Sequence, residues 1–155
     1  PLPLFVPKGL FERMGRILPP HGAQEFAAAF EVTELEADRT ITVGDMTITP
    51  REVDHIPYTF ALVVESDGAR LCYTSDSAPG APLTAAAAGA QVLLAEATLP
   101  PQYEGRAPHM TPGQAGELAR EAGPTVDRGQ AAALGRERFG GRVIVASEMD
   151  AIDVE

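Results

Sequence analysis

The sequence predicts an α/β protein of the α+β kind, with a mixed sheet covered by helices. Three observations lead there. The hydrophobic period switches between 3.6 and 2 several times along the 155 residues. Strand-like runs come mostly as hairpins joined by short polar turns. Helical segments lie between some of those hairpins, the arrangement in which one face of a sheet is buried under helices.

In chain order, residues 3–6 read as a short strand, and Pro7-Lys8-Gly9 turns the chain. Residues 10–18 have helical periodicity, with Leu10, Met14 and Leu18 on one face, and Pro19-Pro20 stops the helix. A second short helix follows over 22–30. The period then changes to two over 30–35, 40–43 and 46–49, with Gly44-Asp45 as a hairpin turn. Residues 60–65 and 69–73 form another hairpin through Ser66-Asp67-Gly68. Residues 82–88 read as a helix closed by Gly89, and 92–95 as a buried strand. Thr111-Pro112-Gly113-Gln114 fits a capping box, with Thr111 at N-cap, Pro112 at N1 and Gln114 at N3. Gly123-Pro124 ends that helix. A further helix is expected over 129–139 and strands over 142–146 and 151–154.

Composition narrows the class. With 45% hydrophobic and 22% charged residues the chain is globular, and its length implies one domain, 1–155. A net charge of −10, from 22 acidic and 12 basic residues, argues against a dedicated nucleic-acid module, because little counterion release is available. No run is long enough to span a bilayer, and the start lacks a basic leader. The single Cys72 excludes an internal disulfide and a Cys-rich zinc module; it lies in Leu71-Cys72-Tyr73 and reads as a small buried hydrophobe. These features suggest the cytoplasm.

Four polar residues sit at the ends of apolar runs or in the loops that follow: His55, Asp76, Glu96 and His109. Strand ends are where α/β proteins place side chains that act on ligands. Two imidazoles and two carboxylates are also what metal binding and general acid–base chemistry require. Each has a blander reading. His55 could be a hydrogen-bonded loop residue, and Asp76 could cap a turn or the helix near Pro82. Glu96, at a strand end, needs a partner if buried, and His109 is the obvious one. A carboxylate partner fixes an imidazole's tautomer and favours its protonated form. His21, between Pro20 and Gly22, reads as an exposed turn residue or cap. Glu31, Glu34, Glu36 and Asp38 read as a solvated face.

The segments Val53-Asp54-His55, Tyr73-Thr74-Ser75-Asp76-Ser77, Glu96-Ala97-Thr98 and His109-Met110-Thr111 resemble the C-terminal half of the metallo-β-lactamase-fold hydrolases. Within them the chain looks most like the branch of ribonuclease Z and related phosphodiesterases. The resemblance implies an αββα sandwich of two mixed sheets, incomplete here. It implies two metal ions, zinc, with His55 a ligand and Asp76 bridging the two. It also implies that His109, oriented by Glu96, protonates the leaving oxygen. The substrate implied is a phosphodiester, either a small molecule such as a cyclic nucleotide or an RNA 3′ end; the acidic charge favours the small one. A homodimer is the assembly expected, with neither DNA nor membrane as a partner.

The sequence departs from the family pattern in three places. Ser75 stands where Gly is usual, and Ser lacks glycine's free access to positive φ. The N-terminal H-x-H-x-D-H motif is absent, and so is the last Thr-His expected after the capped helix. Missing segments are therefore expected before residue 1 and between 123 and 124. A catalytic zinc needs three protein ligands and an open position. The chain as written should thus be inactive and the intact protein active. Two other readings remain: a degenerate homologue serving as a binding or scaffold domain, and a thioester or lactone hydrolase of the same fold.

Overall fold

The computed structural model describes residues 1–122. The helix expected over 129–139, the two final strands and the 123–124 junction lie outside them.

The first unit is a parallel pair, β1 (Leu2–Pro7) and β2 (Phe30–Leu35), joined through α1 (Leu10–Ile17) and α2 (Pro20–Ala29). Gly9 makes the turn into α1 at φ 71°, and its N–H donates to Glu34 at 2.6 Å. Pro19-Pro20 ends α1 as expected, but Pro20 also opens α2. Proline's missing N–H costs nothing in a first helical turn. Phe11, Phe26 and Phe30 pack this unit, with ring centroids 4.7 Å apart for Phe11–Phe26 and 5.3 Å for Phe26–Phe30. His21 lies inside α2, one turn from Glu25, rather than at a turn or cap.

The second unit is a five-stranded mixed sheet of order β3-β4-β5-β6-β7. Its strands are β3 (Ile41–Val43), β4 (Met46–Val53), β5 (Thr59–Ser66), β6 (Ala69–Tyr73) and β7 (Val92–Leu94). All neighbours are antiparallel except β6–β7, which run parallel. Asp67 and Gly68 both take positive φ, as a two-residue hairpin of this hand requires. β4 runs past the alternating stretch to Val53 and includes Pro50. Proline is tolerated there because β3 pairs only with Met46–Ile48 and has ended before Pro50.

α3 (Ala81–Ala87) and α4 (Pro112–Ala122) cover this sheet. Val53, Ala61, Val63 and Cys72 of the sheet meet Leu83, Ala86 and Ala87 of α3 and Leu118 and Ala122 of α4. The small side chains of α3 allow close approach to the strands. Burial pushes the Cys72 thiol up to about 11, so it is a packing residue at neutral pH. The capping box forms as the sequence predicts. Gln114 N–H donates to Thr111 Oγ1 at 3.2 Å, and Thr111 N–H donates to Gln114 Oε1 at 2.9 Å. The acidic face after β2 is exposed but partnered: Glu36 pairs with Arg39, and Asp38 pairs with Arg51.

Candidate metal centre and acid–base pair

His55, Asp76, Glu96 and His109 converge at one end of the five-stranded sheet. Backbone bonds between the loops bring them there. The Ala78 N–H donates to the Asp54 carbonyl at 2.8 Å, holding the loop after Asp76 against the one before His55. Thr74 N–H donates to Leu94 O at 2.9 Å, extending the β6–β7 pairing toward Asp76 and Glu96. Leu99 N–H donates to Met110 O at 3.0 Å, returning the chain to the site at His109. Met110 and Thr111 are buried, so the residues just after His109 anchor it in the core.

Ser75 occupies the left-handed region, φ 52°, which glycine would enter freely. Its hydroxyl donates to the Phe60 carbonyl at 2.7 Å, which helps hold the turn that presents Asp76. The serine therefore adopts the backbone conformation it was expected to disfavour, with a compensating hydrogen bond.

Glu96 is more enclosed than His109, with 7% of its side chain exposed against 22%. Its Oε1 accepts from the Ser77 N–H at 2.8 Å and lies 2.8 Å from His109 Nδ1; its Oε2 accepts from the Thr98 N–H at 3.1 Å. Burial alone would raise its pKa, but the hydrogen bonds from Thr98, Ser77 and His109 outweigh it, and the carboxyl titrates below its ordinary value. Glu96 is thus a carboxylate at neutral pH. An ionised carboxylate can only accept, so His109 carries its proton on Nδ1 and leaves Nε2 for chemistry.

His55 shows the same logic through a neighbour the sequence did not single out. The Thr59 hydroxyl has one proton, and it lies 2.7 Å from the Pro57 carbonyl, which can only accept. Its second contact, to His55 Nδ1 at 3.4 Å, must therefore be one in which Thr59 Oγ1 accepts. His55 then holds Nδ1–H and presents the Nε2 lone pair. The only sequence signal for Thr59 is a hydroxyl four residues after the histidine, too common a pattern to read alone.

One donor atom from each of His55, Asp76 and His109 lies within 4.8 Å of the others. The two imidazole rings meet edge to face, centroids 4.9 Å apart. Donors sharing one zinc at about 2.0–2.2 Å would stand roughly 3.4 Å apart in a tetrahedral site. The cluster is somewhat wider than that, and two imidazoles with a carboxylate are a donor set suited to zinc. Beside Asp76, the Ser77 hydroxyl is fully buried with no hydrogen-bond partner among the described residues. The residues present thus fit a divalent ion. A separate cavity of about 620 Å³ opens between α3 and α4, lined by Thr84, Gln114, Glu117 and Glu121 among others; none of the four site residues borders it.

Among the described residues no helix is long and apolar enough to cross a membrane. Comparison with known proteins agrees with the architecture. The metallo-beta-lactamase fold protein YhfI from Bacillus subtilis superposes with a TM-score of 0.75 at 22% identity, covering 94% of this chain and 62% of that one. The short form of human tRNase Z superposes with a TM-score of 0.67 at 16% identity, covering 100% of this chain and 67% of that one. A diphosphatase from the PhnP family gives 0.52 at 15% identity over 77% of this chain and 42% of that one. At these identities the likeness is one of fold. In sequence, the uncharacterized protein Rv1339 of Mycobacterium tuberculosis is 30% identical over 129 residues, 77% of this chain. A Mycobacterium bovis protein, Mb1374, matches to the same extent, and the chain spans 45% of the length of each. The family model described as the beta-lactamase superfamily domain matches residues 1–127, and the chain belongs to that family.

Proposed function

We propose that the intact protein is a metal-dependent hydrolase that cleaves phosphodiesters, with small esters such as cyclic nucleotides favoured over RNA 3′ ends. One observation carries this reading: a Glu96–His109 pair at 2.8 Å stands directly beside a His55–Asp76 donor set. The fold supports many chemistries, so the site has to decide. His55 and Asp76 would supply two of the ion's ligands, an imidazole and a carboxylate that both suit zinc. When bound, it supplies Lewis acidity toward the phosphoryl group.

The chain's own residues do the rest. Glu96 keeps the His109 Nδ1 proton in place and aims the ring. A water oxygen forms the new bond to phosphorus and releases a proton to solvent, while protonated His109 gives its Nε2 proton to the leaving oxygen as the P–O bond to that oxygen breaks. The three hydrogen bonds on Glu96 hold that carboxylate ionised and fixed, so the ring needs no reorientation at the moment of transfer.

The test is a comparison of leaving groups in the full-length protein. His109→Ala should slow an alkyl phosphodiester by about 10²–10⁴-fold, the usual range for one general acid. A nitrophenyl ester, whose phenolate leaves unprotonated, should be nearly unaffected. Equal losses on both esters would show that His109 is not the donor. The proximity of His109 to the His55 and Asp76 donor atoms supports a second reading, in which it is a third metal ligand with Glu96 as its outer partner. In that case His109→Ala would lose metal.

A further inference from the structure

His109 is delivered to Glu96 by a loop rather than by a strand or a helix. The loop runs from Leu99 to Met110, and the hydrogen bond between those two residues closes its stem. Residues 100–106 are exposed. A 3-10 turn at Pro101–Tyr103 starts the loop, and Gly105, at φ 73°, turns the chain back after Glu104. The Arg106 N–H donates to Tyr103 O at 3.0 Å, and the His109 N–H donates to Ala107 O at 2.8 Å. These last two bonds are local. They shape the loop without tying its tip to the core.

Glu104 makes that tie. Its Oε2 accepts from the Thr111 hydroxyl at 3.2 Å, closing the segment 104–111 around His109. Thr111 is buried and caps α4, whose Leu118 and Ala122 lie in the core. The hydroxyl has one proton and already accepts from the Gln114 N–H at 3.2 Å, so its proton is left for Glu104. Two bonds that share one hydroxyl as acceptor and donor polarise it in the same sense and strengthen each other. A carboxylate is also favoured beside a helix N-terminus, where unpaired N–H groups carry partial positive charge. Glu104 thus fastens the loop tip to a buried point two residues beyond His109.

We propose that Glu104 is a positioning residue for the reaction: through Thr111 it holds the loop in the one arrangement that keeps the His109 ring against Glu96. This inference rests on the reading of His109 as the proton donor. Two constraints place the ring. One is its contact with Glu96 at 2.8 Å, a carboxylate itself fixed by the Ser77 and Thr98 N–H groups. The other is the backbone that carries His109, and Glu104 steadies it from the far end of the loop. Misplacing a reacting group by 1 Å can cost about 10²-fold in rate. A loop released from Thr111 lets the ring leave Glu96 part of the time, and only the fraction in register donates. Glu104 touches no reacting atom, so its loss lowers turnover and leaves substrate affinity alone.

The experiment compares full-length wild type with Glu104→Ala, Glu104→Asp and Glu104→Gln. The first readout is solvent exchange of the His109 Nδ1 proton, followed by NMR on protein carrying isotope-labelled histidine and assigned by its loss in His109→Ala. Exchange should quicken about tenfold in Glu104→Ala, the order one hydrogen bond supplies. Glu104→Gln keeps an acceptor oxygen and should restore the wild-type rate. Glu104→Asp keeps the charge but draws the acceptor back by a methylene, and should follow Glu104→Ala. The second readout is turnover. In Glu104→Ala, kcat for an alkyl phosphodiester should fall by about the same factor with KM unchanged, and a nitrophenyl ester should be spared. Unchanged exchange in Glu104→Ala, no rescue by Glu104→Gln, or equal losses on both esters would overturn the inference. So would a wild-type Nδ1 proton that exchanges too fast to be seen, since the ring would then not be held. If the wild type cleaves no phosphodiester, the reaction reading fails and the exchange rates still decide on Glu104. If the alkyl ester is cleaved but exchange ignores Glu104, the positioning role fails and the reaction stands.

Discussion

Thr59 gives its one hydroxyl proton to Pro57 and can only accept from His55, which leaves the histidine's Nε2 lone pair free for a metal. Thr59→Val keeps the shape and removes the acceptor. Outer partners of metal-bound histidines are typically worth about 10–100-fold in affinity. Zinc affinity, measured against a competing chelator, should fall by that amount in Thr59→Val and be retained in Thr59→Ser; equal affinities for all three would remove Thr59 from the site. Glu96 supports a different test. Its folded-state pKa lies below its ordinary value, so its contribution to stability is present above the ordinary carboxylate range. That contribution is lost as pH falls through the folded value. Glu96→Gln should therefore flatten the acid limb of stability, read as urea midpoints from neutral to acid pH. Identical limbs would show that its hydrogen bonds do not favour the ionised form.

At the scale of elements, α4 was the best marked in the sequence because its N-terminus is encoded by local chemistry: a hydroxyl, a proline and a glutamine in fixed register. That start also supports the site, since Thr111 serves the capping box on one side and Glu104 on the other. Thr111→Ala removes both bonds. Loss of a cap costs about 0.5–2 kcal/mol, and Glu104 loses its tie to the stem as well. The unfolding midpoint should drop accordingly, while Thr111→Ser should recover it; an unchanged midpoint in Thr111→Ala would mean the cap contributes nothing. The hairpins were legible for similar reasons, through Gly44-Asp45 and Ser66-Asp67-Gly68. The role of Pro20 was not, because a proline that ends one helix and one that begins the next look alike without knowing where the chain turns. Nor was the 3-10 turn at Pro101–Tyr103, too short to show a period.

For the molecule as a whole, the sequence placed His55, Asp76, Glu96 and His109 at strand ends, but only the folded loops bring them within reach of one another. What it missed are the partners that make them chemically specific: Thr59, the Ser77 and Thr98 N–H groups, and Glu104. These act through single hydrogen bonds between segments far apart in sequence or through common residue types, and neither leaves a pattern. The central claim is that His55 and Asp76 hold a metal ion, with Glu96–His109 as a proton-donating pair beside it. The most direct measurement is elemental analysis of the full-length protein alongside Asp76→Ala and His109→Ala. The account predicts bound divalent metal in the wild type, loss of most of it in Asp76→Ala, and near-wild-type content in His109→Ala. A metal-free wild type under zinc-replete conditions, or Asp76→Ala with undiminished metal, would contradict it.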